Sequence, residues 1–179
     1  LAQKKLKTLL IDLDPQGSAS ICVGLMSRGR RLLDAMQKII ALPVVPTDVM
    51  GLDLVPSGPE LVTARQIFID GPGDEIFASC LRQTTGDWDC VVIDCPPSLD
   101  VLTMSSLLAS QHVIIPVEAS FLGLHGVRQM VSAVESAKSR NPELHIRAII
   151  PCRAQPRRRI HWEIMDRLNE MFPGKVSPI

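Results

Sequence analysis

Two aspartates one residue apart close the apolar run of "TLLIDLDPQGSAS", Thr8 to Ser20, and a third, Asp94, closes "CVVIDCPPSLD". Carboxylates at the exit of a buried strand are costly unless something uses them. Residues two apart on a strand share a face, so Asp12 and Asp14 point the same way if the strand persists through both. Two chemistries suit such a group: a hard cation held largely through water, or a water molecule activated beside a phosphate. The bland alternative is that they accept backbone N–H bonds at turns, as Asp commonly does. A single apolar strand ending in Asp is a weak Walker B signal. "LLIDLDPQG" together with "VVIDCPPSL" is a much stronger one.

The elements that must position these groups are legible as strand-length apolar runs: Thr8 to Leu13, Leu52 to Val55, Cys90 to Ile93, His112 to Val117 and Ile146 to Ile150. Most are continuous rather than alternating, the pattern of parallel strands covered on both faces. Helical patterns lie between them. Pro59 to Ile67 opens with Pro at a first helical position, and Leu32 to Ile40 forms one short helix in the otherwise unclear stretch Gly29 to Met50. Leu99 to Ser110, Leu124 to Ser139 and Arg159 to Met171 carry one apolar face each. Alternating strands and helices predict an α/β, doubly wound, mostly parallel sheet flanked by helices, within a single domain over residues 1–179. Ligands in such sheets bind beyond the carboxyl ends of the strands, where the aspartates stand.

Composition bounds the rest. The chain has 179 residues, 46% apolar and only 3% aromatic with no Tyr, so its core is built from Leu, Ile, Val and Ala. No run reaches the roughly 20 residues that a membrane span needs, and no membrane partner is expected. The five cysteines form no metal-binding spacing and are expected as reduced thiols in a cytoplasmic protein. The four histidines have no ligand partner three or four residues away.

Formal net charge is zero, yet its distribution is uneven. From His145 onward seven basic residues (Arg147, Arg153, Arg157, Arg158, Arg159, Arg167, Lys175) face only Glu163, Asp166 and Glu170. Arginines clustered in "CRAQPRRRIHW" can contact phosphates without reading bases. They can equally form a solvated face.

With these stretches in view, the sequence resembles the ParA/MinD family of partition-type P-loop ATPases, the ParA branch most closely. The resemblance runs in family order through "LLIDLDPQGSAS", "LDLVPSGPELVTA", "WDCVVIDCPPSLDVLTMSSLLAS", "VIIPVEASFLGLHGV" and "KVSPI". It implies ATP and Mg²⁺ as cofactors. Asp14 would orient the attacking water, and Asp12 and Gln16 would support the phosphate site. Asp94 would hold Mg²⁺ through water, and Pro96, Pro97 and Ser98 would begin the second switch. Pro151 and Cys152 would lie near the adenine. It implies further an ATP-dependent homodimer on the nucleoid that binds double-stranded DNA non-specifically through Arg153, Arg157, Arg158 and Arg159. A ParB-like partner would stimulate hydrolysis.

One departure from the family pattern is large. The phosphate loop, of Lys-Gly-Gly-Val-Gly-Lys-Thr type, is not in this sequence. Its backbone N–H cradle, lysines and Mg²⁺-binding hydroxyl have no substitute here. The chain begins with Leu1 rather than Met, and "LAQKKLK" reads as the tail of a helix. Both ends are therefore expected to be incomplete, and these residues alone are expected to show no ATP hydrolysis. Two other classes compete. One is a non-catalytic interaction module of the same fold without the loop. The other is a phosphatase of the haloacid dehalogenase type, in which the first Asp of Asp-x-Asp is a covalent nucleophile. "DLDPQG" lacks the Gly-Thr pair that normally follows.

Overall fold

A computed structural model describes residues 1–25, 31–64, 73–153, 157 and 159–178. The chain forms two compact units, Leu1–Ala109 and Ser110–Ile179.

In the first unit β1 (Thr8–Asp12) leads into a one-turn helix α1 (Ser18–Cys22), followed by α2 (Arg31–Lys38), a two-residue strand β2 (Val45–Pro46) and β3 (Leu52–Val55). A 3-10 turn over Pro59–Thr63, with Pro59 in its first turn, comes next, then α3 (Ile76–Gln83), β4 (Cys90–Asp94) and α4 (Val101–Ala109). The strand order is β2-β3-β1-β4. β1 runs parallel to β3 and β4, and β2 adds an antiparallel edge. β1 is central and carries the apolar packing: Leu9, Ile11 and the following Leu13 are fully buried with Leu32, Leu33 and Met36 of α2 and Phe77 and Cys80 of α3. Each such side chain contributes about 1.5–3 kcal/mol when buried.

The second unit holds β5 (His112–Glu118), α5 (Phe121–Lys138), β6 (His145–Cys152) and α6 (Arg159–Met171). β5 and β6 pair in parallel, with a register shift between Val113 and Ile114. Val176 adds a parallel bridge to Ile149. Ser120 caps α5 by accepting from the Gly123 N–H at 3.1 Å. Gly123 must be glycine, because a Cβ there would lie 2.1 Å from the Glu118 carbonyl oxygen. Ile115, Val117, Leu124, Val127, Ile149, Ile164 and Leu168 form this unit's core.

The chain is thus α/β with mostly parallel pairing and flanking helices, as its alternating pattern predicts. Several particulars differ. "LAQKKLK" begins with a single 3-10 turn, Ala2–Lys4, closed by Lys5 in the left-handed conformation (φ 63°). Leu99 is exposed and precedes α4, which starts only at Val101. α1, α3 and β2 answer to no clear sequence pattern. The helix expected over Pro59 to Ile67 is 3-10 in its first turn, and its residues from 65 onward lie outside the described residues. Of the strands expected to be buried on both faces, β1 is, whereas Val91 and Val92 of β4 are both exposed.

Candidate nucleotide and metal site

The parallel register sets Asp12 opposite Asp94 at the carboxyl ends of β1 and β4. The Leu13 N–H donates to the Asp94 carbonyl at 2.8 Å, and there the pairing stops. The strand therefore does not persist to Asp14. Instead the Asp14 N–H turns back onto Asp12 Oδ1 at 3.2 Å, the Asx turn that "DLD" permits. The Gly17 N–H donates to the Asp14 carbonyl at 2.8 Å. Gly17 takes φ 65°, a left-handed value that glycine adopts without penalty, and α1 starts at the next residue.

This turn separates two carboxylates that look equivalent in sequence. Asp12 is fully buried. Its Oδ2 accepts from the Ser20 N–H at 2.8 Å and the Ser20 hydroxyl at 2.6 Å, and its Oδ1 takes the Asp14 N–H. Asp14 is half-buried, and its Oδ1 accepts from the Gln16 N–H at 2.9 Å. Asp12 is thus consumed by the chain itself, while Asp14 stays at the surface of the turn. A covalent nucleophile must meet its substrate, so the burial of Asp12 argues against the dehalogenase-type reading. Gln16 is exposed and takes part through its backbone.

Asp94, also half-buried, has its carboxyl raised above the ordinary value, first by burial and then by the negative charges of Asp12 and Asp14. Three carboxylates in electrostatic contact disfavour full ionisation unless a cation joins them. The set fits a magnesium ion held mostly through water, with Asp94 as the residue able to hold it. No group of three side chains poised as direct metal ligands occurs among the described residues.

Downstream of Asp94, Pro96 is buried and Pro97 and Ser98 are exposed. Sequence reasoning passed over Asp100. Its Oδ1 accepts from the Leu102 and Thr103 N–H groups at 3.0 and 3.4 Å, and its Oδ2 from the Ser98 hydroxyl at 2.7 Å. The Thr103 hydroxyl returns to the Ser98 carbonyl at 2.6 Å. Asp100 therefore caps α4 and fixes the segment after Asp94; an Asp just before an apolar helix was the available signal. Ser20 and Ser57 were passed over as well, with no local pattern to mark them.

The other expected site residues belong to the second unit. Pro151 and Cys152 end β6, opposite Val117 and Glu118, Pro151 half-buried and Cys152 exposed. Arg153 follows in the left-handed conformation, φ 53°, and is exposed, as are Arg157 and Arg159. Arg159 pairs with Glu163 at 3.0 Å, so part of its charge is met within α6. Arg158 lies outside the described residues.

An α/β chain with carboxylates closing two adjacent parallel strands has the features of a P-loop nucleoside-triphosphatase fold. Comparison with known proteins agrees. Residues 1–146 match the family described as AAA domain. The chromosome partitioning protein ParA of Myxococcus xanthus is 29% identical over 185 residues, covering 100% of this chain and 65% of its own length. The ParA of Caulobacter vibrioides is 30% identical over 183 residues, covering 95% of this chain and 67% of its own. Among solved structures, cobyrinic acid a,c-diamide synthase from Mycobacterium smegmatis, with bound ATP analogue and magnesium, superposes with a TM-score of 0.83 at 27% identity, covering 96% of this chain and 72% of that one. The chain belongs to the ParA-type family of P-loop ATPases. It spans 65% of the length of the Myxococcus relative and 56% of an uncharacterised Mycobacterium tuberculosis relative. Among the described residues no helix is long and apolar enough to cross a membrane.

Proposed function

We propose that this chain is the carboxylate-bearing part of a partition-type ATPase that binds Mg·ATP, dimerises on it, and then holds double-stranded DNA non-specifically until a ParB-like partner stimulates hydrolysis. The observation that carries the reading is the convergence of Asp12, Asp14 and Asp94 at two neighbouring strand ends, with Asp12 satisfied by the chain and Asp14 and Asp94 left for a ligand. Asp14 accepts a proton or orients water beside the terminal phosphate. Asp94 would hold hydrated Mg²⁺, which when bound would supply positive charge against the phosphates. Pro151 and Cys152 border the adenine. Exposed Arg153, Arg157 and Arg159 support the DNA-binding part, with Arg158 beside them in sequence. The reading carries a cytoplasmic, nucleoid-bound location.

The test is turnover in the full-length protein. Asp14→Ala keeps ATP binding within a few-fold of wild type and loses hydrolysis, since only the step that needs a positioned water is removed. Unchanged turnover in that variant removes the assignment of Asp14, and no ATP hydrolysis by the full-length wild type removes this function.

A further inference from the structure

The two polar groups of the Asp14 backbone are both tied down, and one of the ties comes from far along the sequence. Its N–H goes to Asp12 Oδ1. Its carbonyl accepts from the Gly17 N–H and also from the hydroxyl of Ser57, 43 residues away. Ser57 lies just beyond β3, is only 2% exposed, and donates its own N–H to Ser20 Oγ at 3.1 Å. The Ser20 hydroxyl in turn donates to Asp12 Oδ2. A closed circuit results, buried at Asp12, Ser20 and Ser57: Asp14 N–H to Asp12, Asp12 to Ser20, Ser20 to Ser57, and Ser57 back to the Asp14 carbonyl. A Cβ on Gly17 would come 3.9 Å from the Ser57 Cβ, so Ser57 packs directly beneath the turn.

We infer that Ser57 is a positioning residue for Asp14: it fixes the Asp14 main chain from below, and so sets where the Asp14 carboxylate stands for the reaction. The inference rests on the proposed role of Asp14 in hydrolysis. The physical case is that Asp14 sits past the end of the strand, where the β1–β4 ladder no longer constrains it. Among the described residues its main chain is then held by bonds within the turn and by Ser57. The Asx bond is long at 3.2 Å, and the Gly17 bond stays within the turn itself. Among the described residues, the Ser57 hydroxyl is the bond that joins the Asp14 main chain to the exit of β3. A carboxylate misplaced by about 1 Å can cost up to two orders of magnitude in rate. The hydroxyl touches neither substrate nor metal in this scheme, so its effect passes entirely through Asp14.

The experiment compares Ser57→Ala, Asp14→Ala and the double variant in the full-length protein. Two readouts are taken: steady-state ATP hydrolysis with nucleotide affinity, and amide hydrogen exchange of the nucleotide-free protein. Ser57→Ala is expected to lower kcat by about ten- to a hundredfold, with KM and nucleotide Kd within about twofold. Amides of Asp14, Gln16, Gly17 and Ser20 exchange at least about fivefold faster, while Leu10 in the middle of β1 does not change. In the Asp14→Ala background, removing the Ser57 hydroxyl lowers the residual rate no further. Turnover within twofold of wild type in Ser57→Ala, beside an Asp14→Ala that has lost it, overturns the inference and leaves the function standing. Unchanged exchange across residues 14–20 overturns it also, whatever the rates. A further drop in the double variant shows that Ser57 acts other than through Asp14 and refutes it too. Unchanged turnover in Asp14→Ala defeats the role given to Asp14 instead, and the positioning role falls with it.

Discussion

Replacing Asp12 by Asn tests the division of labour between the two neighbouring aspartates. The substitution preserves shape and removes one negative charge. Three donors converge on this buried carboxylate: the Ser20 N–H, the Ser20 hydroxyl and the Asp14 N–H. An amide offers one acceptor oxygen and one NH2. Whichever way it turns, the NH2 confronts a backbone N–H, either that of Ser20 or that of Asp14. The Ser20 hydroxyl can rotate to accept instead of donate, but it already accepts from Ser57 and its own proton then needs a new partner. At least one buried N–H is left unpaired, at about 1–3 kcal/mol, and the charge-assisted bonds that remain weaken as well. The expected loss is about 2–4 kcal/mol, a large part of a domain's usual 5–15 kcal/mol. With a urea m-value of about 2 kcal/mol/M, the middle of the usual range, the midpoint falls by about 1–2 M. The two tryptophans report separately on the two units, since Trp88 lies in the first and Trp162 in the second. In a Trp162→Phe background, urea titration followed by Trp88 emission reads the unit that holds Asp12. Asp14→Asn in the same background is expected to move the midpoint by less than about 0.3 M, because among the described residues its carboxylate takes only one bond, from a backbone N–H. Equal midpoints for Asp12→Asn and wild type would refute the view that Asp12 is spent on the fold.

Two further outcomes follow from the charges. The Asp94 carboxyl is raised from 3.8, so in the window above that value the folded protein holds a proton that the unfolded chain has lost. Stability from this group therefore falls as pH rises through the window, and above it a charged Asp94 stands against Asp12 and Asp14. Asp94→Asn is expected to melt higher than wild type at pH 7 without ligand, with the gap narrowing as pH falls towards 3.8; a gap that is constant or that widens on acidification contradicts the carboxylate contact. Arg157→Glu with Arg158→Glu is expected to weaken binding to a random-sequence duplex and to reduce the salt slope by about 2, one unit for each lost phosphate contact. Equal affinity and slope at low salt would leave these arginines as a solvated face.

How far the sequence could be read varied with how local each signal was. β3 and α6 begin and end where their patterns predict, Leu52–Val55 and Arg159–Met171, because strand-length apolar runs and a helical stripe before Pro173-Gly174 are self-contained signals. α3 was missed although Ile76, Phe77, Ala78 and Cys80 are buried on it. Its eight residues make only two turns, and four apolar positions in five blur the amphipathic stripe. The continuous apolar run of β4 suggested cover on both faces, and the exposure of Val91 and Val92 shows that a run reports apolarity, not what packs on it. The aspartates were visible from the start as candidates. Their inequality was not, because it depends on where the ladder stops, one residue before the pattern changes. Ser20 and Ser57 stand 37 residues apart and meet only through the fold; no periodicity links two single serines.

That last pair explains how two carboxylates can stand one residue apart at a buried strand end. Together their charges help to raise the Asp94 carboxyl. Ser20 gives Asp12 two short donors, on top of the N–H that the chain returns from Asp14. Asp12 is thus held by the fold, within the field that Asp94 feels. The same circuit reaches Asp14 through Ser57 and holds its backbone, while its carboxylate accepts only the Gln16 N–H among the described residues. One carboxylate is thus traded into structure so that the next can be placed without being satisfied. An aspartate left in that condition, beside a second whose ionisation is opposed by its neighbours, makes the strand ends a place where a hydrated cation lowers the energy of every group present.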